Sequence, residues 1–284
     1  MRRALPAGAA ALLCALAVCA QGEEAPRRIL VTSLPAGEPL TAAELEIRIG
    51  NKPAEILRVY QAEERPVQLA LLIAENAGGG FTSNLAEVRR FLDQLPEGSQ
   101  VLVAYLQSGV VKVEQPFTAD RGAAAGAVRL PASSSGPSDL GVLIWEALRS
   151  FPEEPEGRAQ ILYLGEGTAP EEGLYNDARL DRAIRQAQER GVVVWTLHVE
   201  ARALGLDAGH VELGEAYLKR LATETGGKAF ALGVHAPSLE PYLNELRGLL
   251  QRQYLVEFIP PAGGKGKLEV RVRGQRGGLL HPER

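Results

Sequence analysis

From residue 67 onward the sequence alternates short apolar runs with longer stretches whose apolar residues recur every three or four positions. Val67 to Ile73 is nearly all apolar, as expected of a strand buried on both faces. A glycine-rich loop follows, then a helical stripe of Leu85, Val88, Leu92 and Leu95. Val101 to Leu106 and Val110 to Gln115 read as strands, and Ala119 to Val128 as a helix. Leu130 to Pro137 reads as a serine-rich loop, and Leu140, Leu143, Ile144, Ala147 and Leu148 as another helix face. Ile161 to Leu164 is the next buried strand. Leu180, Ala183, Ile184 and Ala187 form a stripe that stops at Gly191, a C-terminal cap. Strands at 192–199 and 228–231 alternate with helices from Leu213 to Thr225 and from Leu239 to Leu250. This order predicts an α/β fold: a doubly wound, mostly parallel, Rossmann-like sheet with helices on both faces. Ligands on such sheets bind beyond the carboxyl ends of the strands, near a switch point, which selects the loops at 74–81, 130–139 and 165–176.

A small β-rich preface precedes this body. Ile29 to Ser33 can be a strand, and Thr41-Ala42-Ala43-Glu44 has capping-box spacing for one helical turn. Gly50-Asn51-Lys52-Pro53 reads as the turn of a hairpin between Glu46–Ile49 and Ala54–Tyr60. Leu255–Ile259 and Leu268–Val272 form a C-terminal strand pair, and the glycine-rich tail from Gly274 is expected to fray.

The opening residues have the pattern of an export signal: Arg2 and Arg3, an apolar stretch from Leu5 to Ala20, and a small-residue cleavage site at Val18-Cys19-Ala20. The stretch is shorter than the roughly 20 apolar residues that span a bilayer, and Pro6 and Gly8 interrupt it. The expectation is a periplasmic or cell-surface protein with no membrane insertion after cleavage. Cys14 and Cys19 are the two cysteines, so cleavage after Ala20 leaves no disulfide. Leu16-Ala17-Val18-Cys19 is an imperfect lipoprotein box, and lipid attachment at Cys19 stays open. The net charge of -4, the lack of a basic run and the 5% aromatic content argue against nucleic acid as a partner.

Three stretches resemble a von Willebrand factor A (VWA) domain when taken in order. Val67-Gln68-Leu69-Ala70-Leu71-Leu72-Ile73 is similar to its first strand. Phe91-Leu92-Asp93-Gln94-Leu95-Pro96-Glu97-Gly98-Ser99-Gln100-Val101 is similar to the passage from first helix to second strand. Ala222-Thr223-Glu224-Thr225-Gly226-Gly227-Lys228-Ala229 is similar to a late helix-to-strand segment. The strongest likeness is to the VWFA-related proteins common in Acidobacteria, which also carry an export signal, a β-rich preface and a C-terminal strand pair. The organisation implied is a signal peptide over 1–20, a linker and β-rich extension over 21–65, a VWA-like domain over 66–260, and a strand with a disordered tail over 261–284.

The resemblance also implies a metal-ion-dependent adhesion site, in which D-x-S-x-S, a hydroxyl from a second loop and a later aspartate hold Mg²⁺. Here the first aspartate falls on Ala74, the two serines on Asn76 and Gly78, the second-loop hydroxyl on Ser138 and the later aspartate on Glu166. Asn76, Ser138 and Glu166 keep oxygen donors, and Glu75 stands beside them. Mg²⁺ requires near-octahedral geometry and dehydrates reluctantly, so the expectation is no metal and no cofactor. The binding surface is then the loops carrying Glu75, Asn76, Gly78, Ser138, Asp139 and Glu166, and the partner a protein.

Each feature has a plainer reading. Glu75 and Glu166 can be solvated acids, and Ser138 a helix N-cap. Gly78-Gly79-Gly80 lacks phosphate-loop spacing, and Gly136-Pro137-Ser138 only begins like a hydrolase nucleophile elbow. His198, His210, His235 and His281 show no ligand spacing, and His198 reads as a surface or partly buried sheet residue. Leu174, Tyr175 and the run 201–209 can form an apolar contact surface or pack on their own rim. Two further readings stay open: a divalent-cation-dependent adhesion domain using Glu75, Asn76, Ser138 and Glu166, and a hydrolase acting through Ser138.

Overall fold

The computed structural model describes residues 25–35, 39–62, 65–74, 84–107, 109–130, 139–153, 158–166, 177–199, 208–233, 237–274 and 278–284. Its strands are β1 (Arg27–Ser33), β2 (Leu45–Ile49), β3 (Lys52–Pro53), β4 (Glu55–Gln61), β5 (Val67–Ala74), β6 (Gln100–Gln107), β7 (Val110–Thr118), β8 (Arg158–Glu166), β9 (Val193–Val199), β10 (Ala229–Ala231), β11 (Gln253–Ile259), β12 (Leu268–Val272) and β13 (Leu279–Leu280). Its helices are α1 (Leu85–Asp93), α2 (Arg121–Ala127), α3 (Leu140–Leu148), α4 (Asp177–Glu189), α5 (Ala208–Glu224) and α6 (Glu240–Gln251).

The main sheet has the order β10-β9-β8-β5-β6-β7. All neighbours are parallel except β6 and β7, which form an antiparallel hairpin. Every residue of β5 is buried, as its unbroken apolar run requires. Its alternating side chains feed two cores. Leu69, Leu71 and Ile73 pack with Val88, Phe91 and Leu92 of α1, Ala124 of α2 and Leu243, Leu246 and Leu250 of α6. Ala70, Leu72 and Ala74 pack with Leu143 and Ile144 of α3, Leu180 and Ile184 of α4 and Leu218 and Leu221 of α5. Both faces are thus covered, and each fully buried leucine or isoleucine contributes about 1.5–3 kcal/mol. Helix α4 ends as its sequence predicts. Gly191 adopts φ +63°, and Val192 N–H returns to the Ala187 carbonyl at 2.8 Å.

The preface and the C-terminal strands together build a second unit. One sheet runs β13-β1-β11-β4 and the other β12-β2-β3, all antiparallel. Ile29, Val31, Tyr254, Val256 and Phe258 face Leu45, Ile47, Ile49, Leu268 and Val270 across a common core. The opposite face of the first sheet turns Leu30 and Leu255 toward the α1–α6 core. The two C-terminal strands therefore pair with preface strands, because each needs a partner whose alternation matches its own. The expected hairpin after Ile49 keeps only two residues on its return side, and Glu55–Gln61 crosses to pair with β11. The tail is the second difference. Residues 278–284, expected to be disordered, pair Ser33 with Leu279 and Thr32 with Leu280, where the edge of β1 offers unpaired backbone.

A polar cluster fastens the two units. The buried Arg158 donates to the Arg65 carbonyl (3.0 and 3.2 Å), to the Leu250 carbonyl at the end of α6, and to Gln253 Oε1 (3.1 Å). Gln253 Oε1 also accepts from Gln160 Nε2 (3.3 Å), and Gln160 Oε1 accepts from Trp195 Nε1 (2.7 Å).

Candidate functional site

Strand β5 leads to β6 on one side, whereas β8, its neighbour on the other side, leads away to β9. The connections part between β5 and β8, so their carboxyl ends mark the switch point where α/β sheets bind ligands. The register Ile73 to Leu164 sets Ala74 beside Gly165.

The described side chains at this edge are tightly packed. Ala74 is 5% exposed and belongs to the α3–α5 core. A Cβ built on Gly165 would stand 2.6 Å from the Ala74 Cβ, 2.6 Å from the Tyr163 hydroxyl and 2.7 Å from Tyr163 Cζ. A side chain there would meet both, so glycine is the residue that lets the Tyr163 ring and the Ala74 methyl approach the strand backbone at 165. Tyr163 was not singled out in the sequence. The usable signal was the glycine ending an otherwise apolar strand.

Asp139 is committed to local structure. It is the N-cap of α3, with Oδ1 accepting from Val142 N–H at 3.1 Å and Oδ2 paired with Arg179 at 3.0 Å. The cap expected at Ser138 falls one residue later, since the carboxylate at 139 reaches the first-turn N–H of Val142 and also holds Arg179. Glu166 closes β8 in register with Val199, and its side chain lies outside the described ones. Glu75, Asn76, Gly78 and Ser138 lie outside the described residues, as do Leu174, Tyr175 and residues 201–207. The structure thus brings Ala74 together with Gly165, the residue before Glu166. His198, expected to be a surface or partly buried sheet residue, is 3% exposed: it shares a face of β9 with Val194, which packs in the α3–α5 core.

A second anchor stands on β6. The Tyr105 hydroxyl accepts from Arg129 N–H at 2.7 Å and lies 2.9 and 3.1 Å from the carbonyls of Arg129 and Ala127. The Arg129 guanidinium sits 4.5 Å above the Tyr105 ring centroid and pairs with Glu114 at 3.0 Å. Burial, above all, raises the Tyr105 hydroxyl above the ordinary tyrosine range. These contacts fix the segment that enters the second loop. Val110, at the start of β7, and Leu130, the last described residue before that loop, are each 55% exposed.

Of the positions to which the resemblance assigns Mg²⁺ ligands, the structure describes the Ala74 side chain and the backbone of Glu166. A hard dication needs carboxylate and hydroxyl oxygens around it. Ala74 offers a methyl, Gly165 no side chain, and both Asp139 oxygens are engaged. Among the described residues, no three His, Cys, Asp or Glu side chains form a group that could hold a metal.

No family model matches the chain, and no curated protein matches it. Among solved structures it is similar to the conserved hypothetical protein BatB from Bacteroides thetaiotaomicron, at 18% identity over 65% of this chain and 98% of that one, with a TM-score of 0.48. It is also similar to the SpRpn10 VWA domain, at 10% identity over 64% and 95% of the two chains, with a TM-score of 0.44. No residue role passes from either protein to this one.

Proposed function

We propose that this chain is an exported, non-catalytic protein-interaction module on a VWA-like scaffold, and that it holds its partner without a bridging metal. The observation that carries this reading is the buried methyl of Ala74 at the end of the central strand, packed against Gly165. A metal-bridged adhesion site needs an anionic ligand at the position that Ala74 takes in the resemblance, and a methyl supplies neither charge nor lone pair. Recognition then falls to loop shape and to ordinary side-chain contacts. The exposed Val110 and Leu130 beside the same rim suit a protein surface better than a small polar ligand.

Export rests on the pattern from Arg2 to Ala20. No helix among the described residues is long and apolar enough to cross a membrane. The finer likeness to VWFA-related proteins rests on the three sequence stretches.

The test is capture of a partner from the envelope fraction on the immobilised mature chain, with and without EDTA. The reading predicts retention unchanged by EDTA and lost when Val110 and Leu130 are both replaced by Asp. Elution by EDTA together with loss of capture in Glu166→Ala contradicts it.

A further inference from the structure

The C-terminal segment 278–284 is a strap fastened to three elements. Leu279 and Leu280 pair with β1. Pro282 bridges to Thr225, and Glu283 N–H donates to the Glu224 carbonyl at the end of α5 (3.0 Å). Strand β12 uses one edge to pair with β2, and its other edge faces the strap. There Leu268 N–H donates to the Glu283 carbonyl at 2.8 Å. Two residues on, Val270 N–H meets the Nε2 of His281 at 3.4 Å, so an imidazole takes the place of a strand carbonyl. The other ring nitrogen, Nδ1, lies 2.8 Å from the Pro282 carbonyl.

One protonation state serves both contacts. Nδ1 must carry the proton toward the Pro282 carbonyl, leaving the Nε2 lone pair to accept from Val270. A second proton on Nε2 turns that acceptor into a donor facing a donor. We propose that His281 is an acid-sensitive latch, whose protonation at Nε2 releases the 278–284 strap from β12 and from the end of α5.

The charged groups on the elements packed around it are themselves paired. Glu283 on the strap meets Lys267 at 2.5 Å, Glu269 on β12 meets Arg271 at 2.7 Å, and Glu224 on α5 meets Arg220 at 2.7 Å. Burial, first of all, holds the imidazole below the ordinary histidine range. The Pro282 carbonyl, Glu283 and Glu269 oppose that shift, and Lys267 adds to it. The strap is therefore latched at neutral pH. Between the ordinary value of about 6.5 and the lowered folded value, the released state binds more protons, so latching weakens as pH falls through that window.

The test is amide hydrogen exchange on the mature chain at pH 7.5 and pH 5.0, corrected for the intrinsic rate. Protection at Val270, Leu268 and Glu283 should fall about tenfold at the lower pH relative to β5 amides. His281→Gln, neutral throughout, should lose this response. Equal protection at both pH values, or the same response in His281→Gln, overturns the proposal. A direct NMR titration of the wild-type imidazole decides the matter if the variant fails to fold: titration at or above the ordinary histidine value also overturns it.

Discussion

Ala74 and Gly165 approach so closely across the switch point that a Cβ on Gly165 would lie 2.6 Å from the Ala74 methyl. The pair leaves no room for a side chain on Gly165. Gly165→Ala should therefore destabilise the fold by about 1–3 kcal/mol through overpacking. Part of that loss should return in the Gly165→Ala, Ala74→Gly double variant, since one of the two clashes is removed. Urea unfolding of the four members of the cycle measures the coupling, and strict additivity would contradict the contact.

Glu87 of α1 caps a different helix. Its carboxylate accepts from the N–H groups of Leu239 (2.6 Å) and Glu240 (2.9 Å) and from the Ser238 hydroxyl (3.1 Å) at the start of α6. Glu87→Ala should cost about 1–2 kcal/mol, the range of a lost cap with its dipole interaction. Thermal unfolding checks this. An unchanged midpoint would mean that α6 does not depend on the carboxylate.

Much of this architecture was legible from residue patterning. The buried run at 67–73, the helix stripes and the Gly191 stop each follow from local chemistry, and the elements formed where their periodicity placed them. Pairing across long separations was not legible. Nothing local to Leu255 or Leu268 says that one joins Ile29–Ser33 and the other Leu45–Ile49, because complementary alternation suits many partners. The same holds for the tail, whose glycines suggested fraying while its order comes from the open edges of β1 and β12. At the site, Ala74 could be placed at the strand end from sequence, but its close approach to Gly165 depends on the sheet order.

Arg158 joins the two units through the Arg65 and Leu250 carbonyls and Gln253. Arg158→Ala takes the guanidinium from the Leu250 and Arg65 carbonyls and leaves Gln253 Oε1 with Gln160 alone, and should cost about 1–3 kcal/mol. Equilibrium unfolding monitored at Trp195, which shares the cluster through Gln160, reports the loss. A cost below about 1 kcal/mol would show that water replaces the guanidinium readily.

Tyr105 should ionise above the ordinary tyrosine range in the folded chain, since burial disfavours the phenolate. The unfolded chain then releases its proton first, so stability declines as pH rises past about 10. Tyr105→Phe should remove the part of that decline due to this group while lowering stability at neutral pH by about 1 kcal/mol. Ultraviolet titration of wild type and variant tests the first statement; titration of Tyr105 at or below the ordinary value contradicts it.

The most direct test of metal-free recognition is calorimetric titration of the mature chain with Mg²⁺ and Mn²⁺. The account predicts no saturable heat for either ion at millimolar concentration. A stoichiometric isotherm with micromolar affinity, weakened by Glu166→Ala, would contradict it.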